Sequence, residues 1–233
     1  MLDSFTPIES TFVILPLLMK RISQLLQSSE PIKWLFYGDS ITHGAFHTFG
    51  SRDYAEHFDE RVRFELGRYN DVIINTAISG NTTRELLDGF DWRVRQFSPH
   101  VVFIMIGMND CCETRQLSPE EFRSNLQKIC SQLGEINALP VLQTTCPILP
   151  GTTPDREPYF AEYMQIVRNT AQENNLPLID HHQYWKNHSD KLYYWMSNPF
   201  HPNASGHLVF AHTLFRELGI FDANSNVCRL FTP

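Results

Sequence analysis

Five short apolar runs constrain this chain more than any other feature: Ile32–Tyr37, Val72–Asn75, Val101–Ile106, Val141–Thr144 and Leu176–Ile179. Each is four to six residues long and lacks the strict apolar/polar alternation of a half-exposed strand, so each reads as a strand buried on both faces. Helical patterns lie between them. Tyr54, Phe58, Val62, Leu66 and Tyr69 recur every three or four residues and place one apolar stripe along a helix. Ser118-Pro-Glu-Glu121 is a capping box with proline at the first helical position, followed by Phe122, Leu126, Ile129 and Leu133 on one face. A third helix is expected after Pro158 and a fourth from about Ala204 to Leu218. Strands that alternate with helices imply βαβ units and hence an α/β fold, a three-layer α/β/α arrangement with a parallel sheet of about five strands. In such a sheet the chemistry sits at the carboxyl ends of the strands.

Composition narrows the classes. At 233 residues the chain fits one domain, 1–233, with 1–31 as an amino-terminal extension packed on it. With 42% apolar and only 19% charged residues it can bury a core, which excludes general disorder. Nineteen Lys+Arg against 26 Asp+Glu give a net charge of −7 with no basic run, which excludes nucleic acid as a partner. The five cysteines, Cys111, Cys112, Cys130, Cys146 and Cys228, are odd in number and lack Cys-x-x-Cys spacing; they indicate neither a disulfide framework nor a zinc knuckle, and fit a reducing, cytoplasmic compartment. The apolar stretch Thr11–Met19 is too short to span a bilayer and its basic pair Lys20-Arg21 follows it, so it reads as part of the fold, with no stable membrane insertion.

Four segments place reactive groups at predicted strand ends or before the last helix. The first run closes in Gly38-Asp39-Ser40, which puts a hydroxyl at a strand end, although the same tripeptide is an ordinary turn. The second leads to Ser79-Gly80-Asn81, where Gly80 either offers an open N–H or is a plain turn glycine. The third leads to Gly107-Met108-Asn109-Asp110, an amide beside common turn residues. His201-Pro202 precedes the last helix. Ester cleavage requires a nucleophile, a base and donors aimed at a developing oxyanion, and all three types are present.

With these blocks in this order the sequence resembles the SGNH hydrolases, the GDSL-type esterases and lipases, from Gly38 to His207. It has no Gly-x-Ser-x-Gly nucleophile elbow of the α/β-hydrolase kind. The resemblance implies a flavodoxin-like sheet and a serine ester hydrolase with Ser40 as nucleophile and His201 as general base. It further implies an oxyanion site made by the N–H groups of Ser40 and Gly80 and the side-chain amide of Asn109. Asp39 and Asp110 are read as loop-shaping residues. No cofactor and no metal are expected, the partner is a small-molecule ester, and the oligomeric state is left open.

One position departs from the family pattern: Asn198 stands three residues before His201, where the family has aspartate. Asparagine can orient an imidazole but brings no charge to stabilise an imidazolium, so a slower Ser-His pair is expected. Two alternatives follow, an acyltransferase of the same fold or a catalytically impaired ligand-binding homologue. Asp180 is another carboxylate at the catalytic edge; His43 and His47 share an i, i+4 spacing without a third metal ligand, and His181-His182 is ambiguous. Cys111 and Cys112 are reactive only if exposed, and the aromatic segment Tyr184 to Trp195 either lines a pocket or packs under a loop. No long apolar insertion suggests a lipid-binding lid, which favours a short acyl or acetyl ester of a sugar or simple alcohol.

Overall fold

The computed structural model describes residues 21–233, so the Thr11–Met19 reading lies outside the described residues. Five strands, β1 (Lys33–Gly38), β2 (Val72–Asn75), β3 (Val101–Met105), β4 (Leu139–Gln143) and β5 (Leu178–Ile179), form one parallel sheet in the order β2-β1-β3-β4-β5. A helical segment, α1 (residues 21–27), precedes β1. Short α2 (Ser40–His43) and then α3 (Tyr54–Asp59) join β1 to β2; α4 (Thr83–Asp88) and α5 (Phe90–Arg93) lead to β3. The long α6 (Pro119–Glu135) and α7 (Glu157–Glu173) flank β4, and α8 (His181–Lys186), α9 (Leu192–Trp195) and α10 (Ala204–Glu217) follow β5.

The run in β1 explains the three layers. Trp34 to Tyr37 are all fully buried, and alternate side chains point to opposite faces. Trp34 and Phe36 meet Phe58 and Tyr54 of α3, while the Tyr37 hydroxyl on the other face donates to the Leu86 carbonyl in α4. Helices α3 and α10 pack together, as do α4, α6 and α7. Each such side chain, taken fully out of water, contributes about 1.5–3 kcal/mol.

The expected elements are all present, with instructive differences: β2, expected to be buried on both faces, is instead an edge strand with Val72 and Asn75 exposed, because only β1 pairs with it. Pro140 lies inside β4, which begins two residues before the expected Val141. Leu139 N–H donates towards β3 through the His100 carbonyl, and β5 pairs only from Leu142, so nothing at the level of Pro140 requires its missing N–H. Strand β5 is shorter than Leu176–Ile179 because Leu176 N–H still closes α7 on the Ala171 carbonyl. The stripe begun by Tyr54, Phe58 and Val62 is buried, but Leu66 and Tyr69 are 38% and 66% exposed. Residues Glu60–Glu65 form a π-helical turn, with Leu66 N–H bonded to the Arg61 carbonyl, and the wider turn rotates the later residues away from the core. At α6 the Ser118 hydroxyl accepts from Glu121 N–H as expected, but the Glu121 carboxylate bonds Arg84 in place of closing the box.

The amino end of the sheet is pinned by one carboxylate. Asp71 accepts from Ile32 N–H at 2.9 Å and Trp34 Nε1 at 2.8 Å, and Arg68 pairs with it at 2.7 Å while also donating to the Leu26 and Glu30 carbonyls. Residues 21–31 are thereby held on the sheet, with Ile22 fully buried. Strand order reverses between β1 and β3, so the crevice of a doubly wound sheet opens at their carboxyl ends.

Candidate active site

At that crevice β1 ends in Gly38, where a Cβ would meet the Met105 carbonyl oxygen at 2.3 Å; only glycine lets the strand end this close to its neighbour. Asp39 follows, extended and buried, and caps α2 by accepting from Ile41 N–H at 2.9 Å. Ser40 is thus the first residue of a helix, where its N–H has no intrahelical partner. Burial pushes the Asp39 carboxyl up to about 7, with Asp110 adding to the rise and the Ile41 N–H opposing it.

The Ser40 Oγ lies 2.8 Å from His201 Nε2. His201 Nδ1 lies 3.0 Å from Asn198 Oδ1, and that same oxygen accepts from the backbone N–H groups of His201 at 2.9 Å and Phe200 at 3.2 Å. Because two backbone donors face it, the oxygen of the Asn198 amide is the atom turned towards His201, which assigns the proton to Nδ1 and leaves Nε2 to accept from Ser40. The Asn198 Nδ2 is left 3.4 Å from His47 Nδ1. The His47 ring is stacked on His201 with centroids 3.7 Å apart and planes within 12°. Burial, the His47 ring and the Arg156 guanidinium lower the His201 pKa to about 4.

Opposite the histidine, Gly80 adopts φ +84°, a left-handed conformation that side chains disfavour. Its carbonyl is held by Arg115 Nη2 at 3.1 Å. Among the described residues neither Gly80 N–H nor Ser40 N–H has an acceptor. Asn109 Nδ2 donates to the Asn81 carbonyl at 2.9 Å, which ties the β3 loop to the Gly80 loop and leaves one amide hydrogen over. Asp110 accepts from the Thr83 N–H and hydroxyl at 2.8 and 2.7 Å; burial raises its carboxyl to about 6. Ser40, Gly80, Asn109 and His201 line one open pocket of about 410 Å³, together with Phe46, His47, Arg156 and Phe200.

Other candidates fall elsewhere. Asp180 is engaged by Arg168 at 2.8 Å and by the Thr144 hydroxyl at 2.8 Å, so it supplies no charge to His201. His43 and His47 diverge, the first bonding Ser79 Oγ at 3.0 Å and the second stacking on His201. His181 is buried against Gln143, and burial lowers its pKa to about 3. All five cysteines are buried and unpaired, and burial pushes the Cys111 thiol far up, which leaves it inert. Trp185 and Trp195 are packed against each other, whereas Tyr193 and Tyr194 are exposed, and none of them lines this pocket. The sequence singled out His47 only as half of a metal pair and did not single out Arg156, because stacking across 154 residues and a guanidinium inside a proline-rich loop leave no local pattern.

The chain belongs to the GDSL-like lipase/acylhydrolase family, whose model matches residues 36–209. It is accordingly a carboxylic ester hydrolase of the SGNH type. It is similar to an acetylxylan esterase of Geobacillus stearothermophilus, 26% identical over 80% of this chain and 94% of that enzyme. The crystal structure of that esterase has TM-score 0.69 at 23% identity, covering 81% of this chain and 94% of that one. Catalytic mutants of its serine, of an aspartate and of a histidine three residues later have also been solved. An alpha/beta hydrolase enzyme from the metagenome of Lake Arreo, Spain, has TM-score 0.73 at 21% identity, covering 84% of this chain and 99% of that one. An uncharacterized protein of Mycoplasma pneumoniae is 32% identical over 48% of this chain, a match that spans 13% of that protein's length. Among the described residues no helix is long and apolar enough to cross a membrane.

Proposed function

We propose that the protein hydrolyses short-acyl esters, acetyl esters of a sugar or simple alcohol first among them, through an acyl-serine intermediate. The contact that carries this reading is Ser40 Oγ to His201 Nε2 at 2.8 Å. Ser40 Oγ attacks the ester carbonyl carbon while His201 Nε2 takes the hydroxyl proton. The carbonyl oxygen becomes an oxyanion that accepts from Ser40 N–H, Gly80 N–H and Asn109 Nδ2. Collapse breaks the bond to the alkoxy oxygen, which leaves as the alcohol with the proton from His201. Water then repeats the sequence on the acyl-serine, giving up a proton to His201 and releasing the acid and free Ser40. Asn198 Oδ1 holds the imidazole in the tautomer this requires.

Phe46, His47 and Phe200 line the open pocket beside Ser40 and offer aromatic surface to an acyl group. The acetylxylan esterase relative supports an acetylated sugar, and the histidine and preceding position of that enzyme's catalytic mutants share the spacing of His201 and Asn198. The test is a series of p-nitrophenyl esters from acetyl to long chains, with wild type beside Ser40→Ala and His201→Ala. Turnover that is greatest for acetyl and drops to background in both variants is expected. Equal rates in wild type and Ser40→Ala, or a preference for long chains, refute the mechanism or the acyl-size assignment respectively.

A further inference from the structure

Arg93 is a cation that the proposed reaction does not use, in surroundings where cations are seldom left. It is 5% exposed, and its guanidinium carbon sits 4.7 Å from the centroid of the Tyr37 ring. Nε donates to the Thr76 carbonyl at 2.9 Å, Nη1 to Asn81 Oδ1 at 2.5 Å and Nη2 to the Gly38 carbonyl at 3.3 Å. All three acceptors are neutral, and no carboxylate among the described residues forms an ion pair with it. Glu85 acts on it only through space, and burying a cation with no ion-pair contact is unfavourable unless the fold or the chemistry requires it.

Its acceptors identify that requirement. Gly38 closes β1 two residues before Ser40; Thr76 follows the end of β2; Asn81 follows Gly80, and its own carbonyl receives the Asn109 amide at 2.9 Å. One planar fork therefore joins the serine turn to the glycine loop and, through Asn81, to the loop after β3. Lysine, with a single nitrogen, cannot span three acceptors in this way. The glycine that precedes α5 leaves room for the side chain, since a Cβ on Gly89 would lie 2.9 Å from Arg93 Cδ.

We infer that Arg93 is a positioning residue for ester cleavage: it holds the Ser40, Gly80 and Asn109 loops in the relative geometry that receives the oxyanion. This rests on the reading of Ser40, Gly80 and Asn109 given above. The role differs from one in folding alone because it acts on the transition state. Removing one oxyanion donor costs on the order of 10²–10³ in kcat in other hydrolases, and a loosened set should approach the lower figure.

The experiment compares wild type, Arg93→Lys, Arg93→Ala, Asn81→Ala and Ser40→Ala on p-nitrophenyl acetate, recording kcat, KM and the thermal midpoint. The expected result, well below each midpoint, is a fall of about 10²-fold in kcat for both Arg93 variants with KM within about threefold. Guanidinium at tens of millimolar, below denaturing concentrations, should restore kcat about tenfold in Arg93→Ala and leave the wild type and Ser40→Ala unchanged. Folded Arg93→Lys with wild-type kcat, or an Arg93→Ala variant indifferent to guanidinium, overturns the inference. Should both Arg93 variants fail to fold, Asn81→Ala decides: a tenfold or so loss of kcat at unchanged KM supports the relay, and wild-type kcat overturns it. Turnover that persists in Ser40→Ala is a different failure, of the nucleophile assignment itself.

Discussion

The two walls of the pocket are built in opposite ways. Ser40, Gly80 and Asn109 leave the ends of adjacent strands, and Arg93, Arg115 and Asn81 tie their loops together. His201, Asn198 and His47 come from irregular segments and are held by one neutral amide and a ring stack. Charge is distributed just as unevenly. Arg93 and Arg115 bond the strand-end loops through neutral acceptors, with Glu85 as the carboxylate that acts on both. The imidazolium formed on His201 is instead buried beside His47, Arg156 and an uncharged Asn198; burial first, then His47 and Arg156, gives its low pKa of about 4. In the proposed mechanism the strand-end wall lowers the barrier and the histidine wall limits it.

The comparison breaks most directly at Asn109. Asn109→Ala removes both an oxyanion donor and the tie to Asn81, so kcat should fall about 10²–10³-fold, equivalent to roughly 2.7–4 kcal/mol, with KM little changed. Steady-state kinetics on an aryl acetate measures it. A loss confined to KM would mean that the amide binds the ground state and does not act on the oxyanion.

Asn198→Asp sharpens the other wall. A carboxylate accepts the same two backbone N–H groups and the Nδ1 proton, and adds the charge that the imidazolium lacks. We expect kcat/KM at neutral pH to rise about tenfold, since charge supplied to an imidazolium is stabilising at this separation. The sign of the pH effect is fixed: the base must be unprotonated, so wild-type kcat/KM is lost as pH falls through about 4, whereas the aspartate variant loses activity at higher pH because its His201 pKa is raised. An unchanged acid limb combined with an unchanged rate would show that charge is not what the histidine wall is missing.

The same contrast governs what could be read in the sequence. The strand-end positions of Ser40, Gly80 and Asn109 were legible because an apolar run announces a strand, even for the partly exposed β2, and topology then assigns its carboxyl end to the crevice; the roles proposed for them came from the family resemblance. The sheet was legible for the same reason, down to strand ends within a residue or two. The helix from Tyr54 was misread beyond Val62, since a π-turn changes the angular step without changing the apolar spacing. Arg93 stayed silent because its partners, Gly38, Thr76 and Asn81, are joined by the fold and not by spacing. Asn198 was legible by its place before His201, but the reach of its amide to His47 was not.

His47 tests how far the histidine wall acts as a unit. His47→Phe keeps a flat ring over His201 but removes the Nδ1 acceptor for Asn198 and every possibility of charge. The lost hydrogen bond is long, 3.4 Å, and such a contact contributes at most about 1 kcal/mol, so kcat should drop by no more than about fivefold. The charge effect runs the other way in pH. Two imidazoles 3.7 Å apart titrate as a pair, and a proton on one disfavours a proton on the other. Burial already lowers the His47 pKa, so His47 is neutral at pH 7 and its repulsion matters only as acid is added. With phenylalanine in place His201 protonates without that competitor, its pKa rises, and the acid limb of kcat/KM moves up by a fraction of a unit; His47→Ala should move it the same way but cost more kcat, because the stack is lost too. Profiles of the three proteins from acid to neutral pH measure both terms, and coincident acid limbs would leave His47 a packing residue with no electrostatic hold on the base.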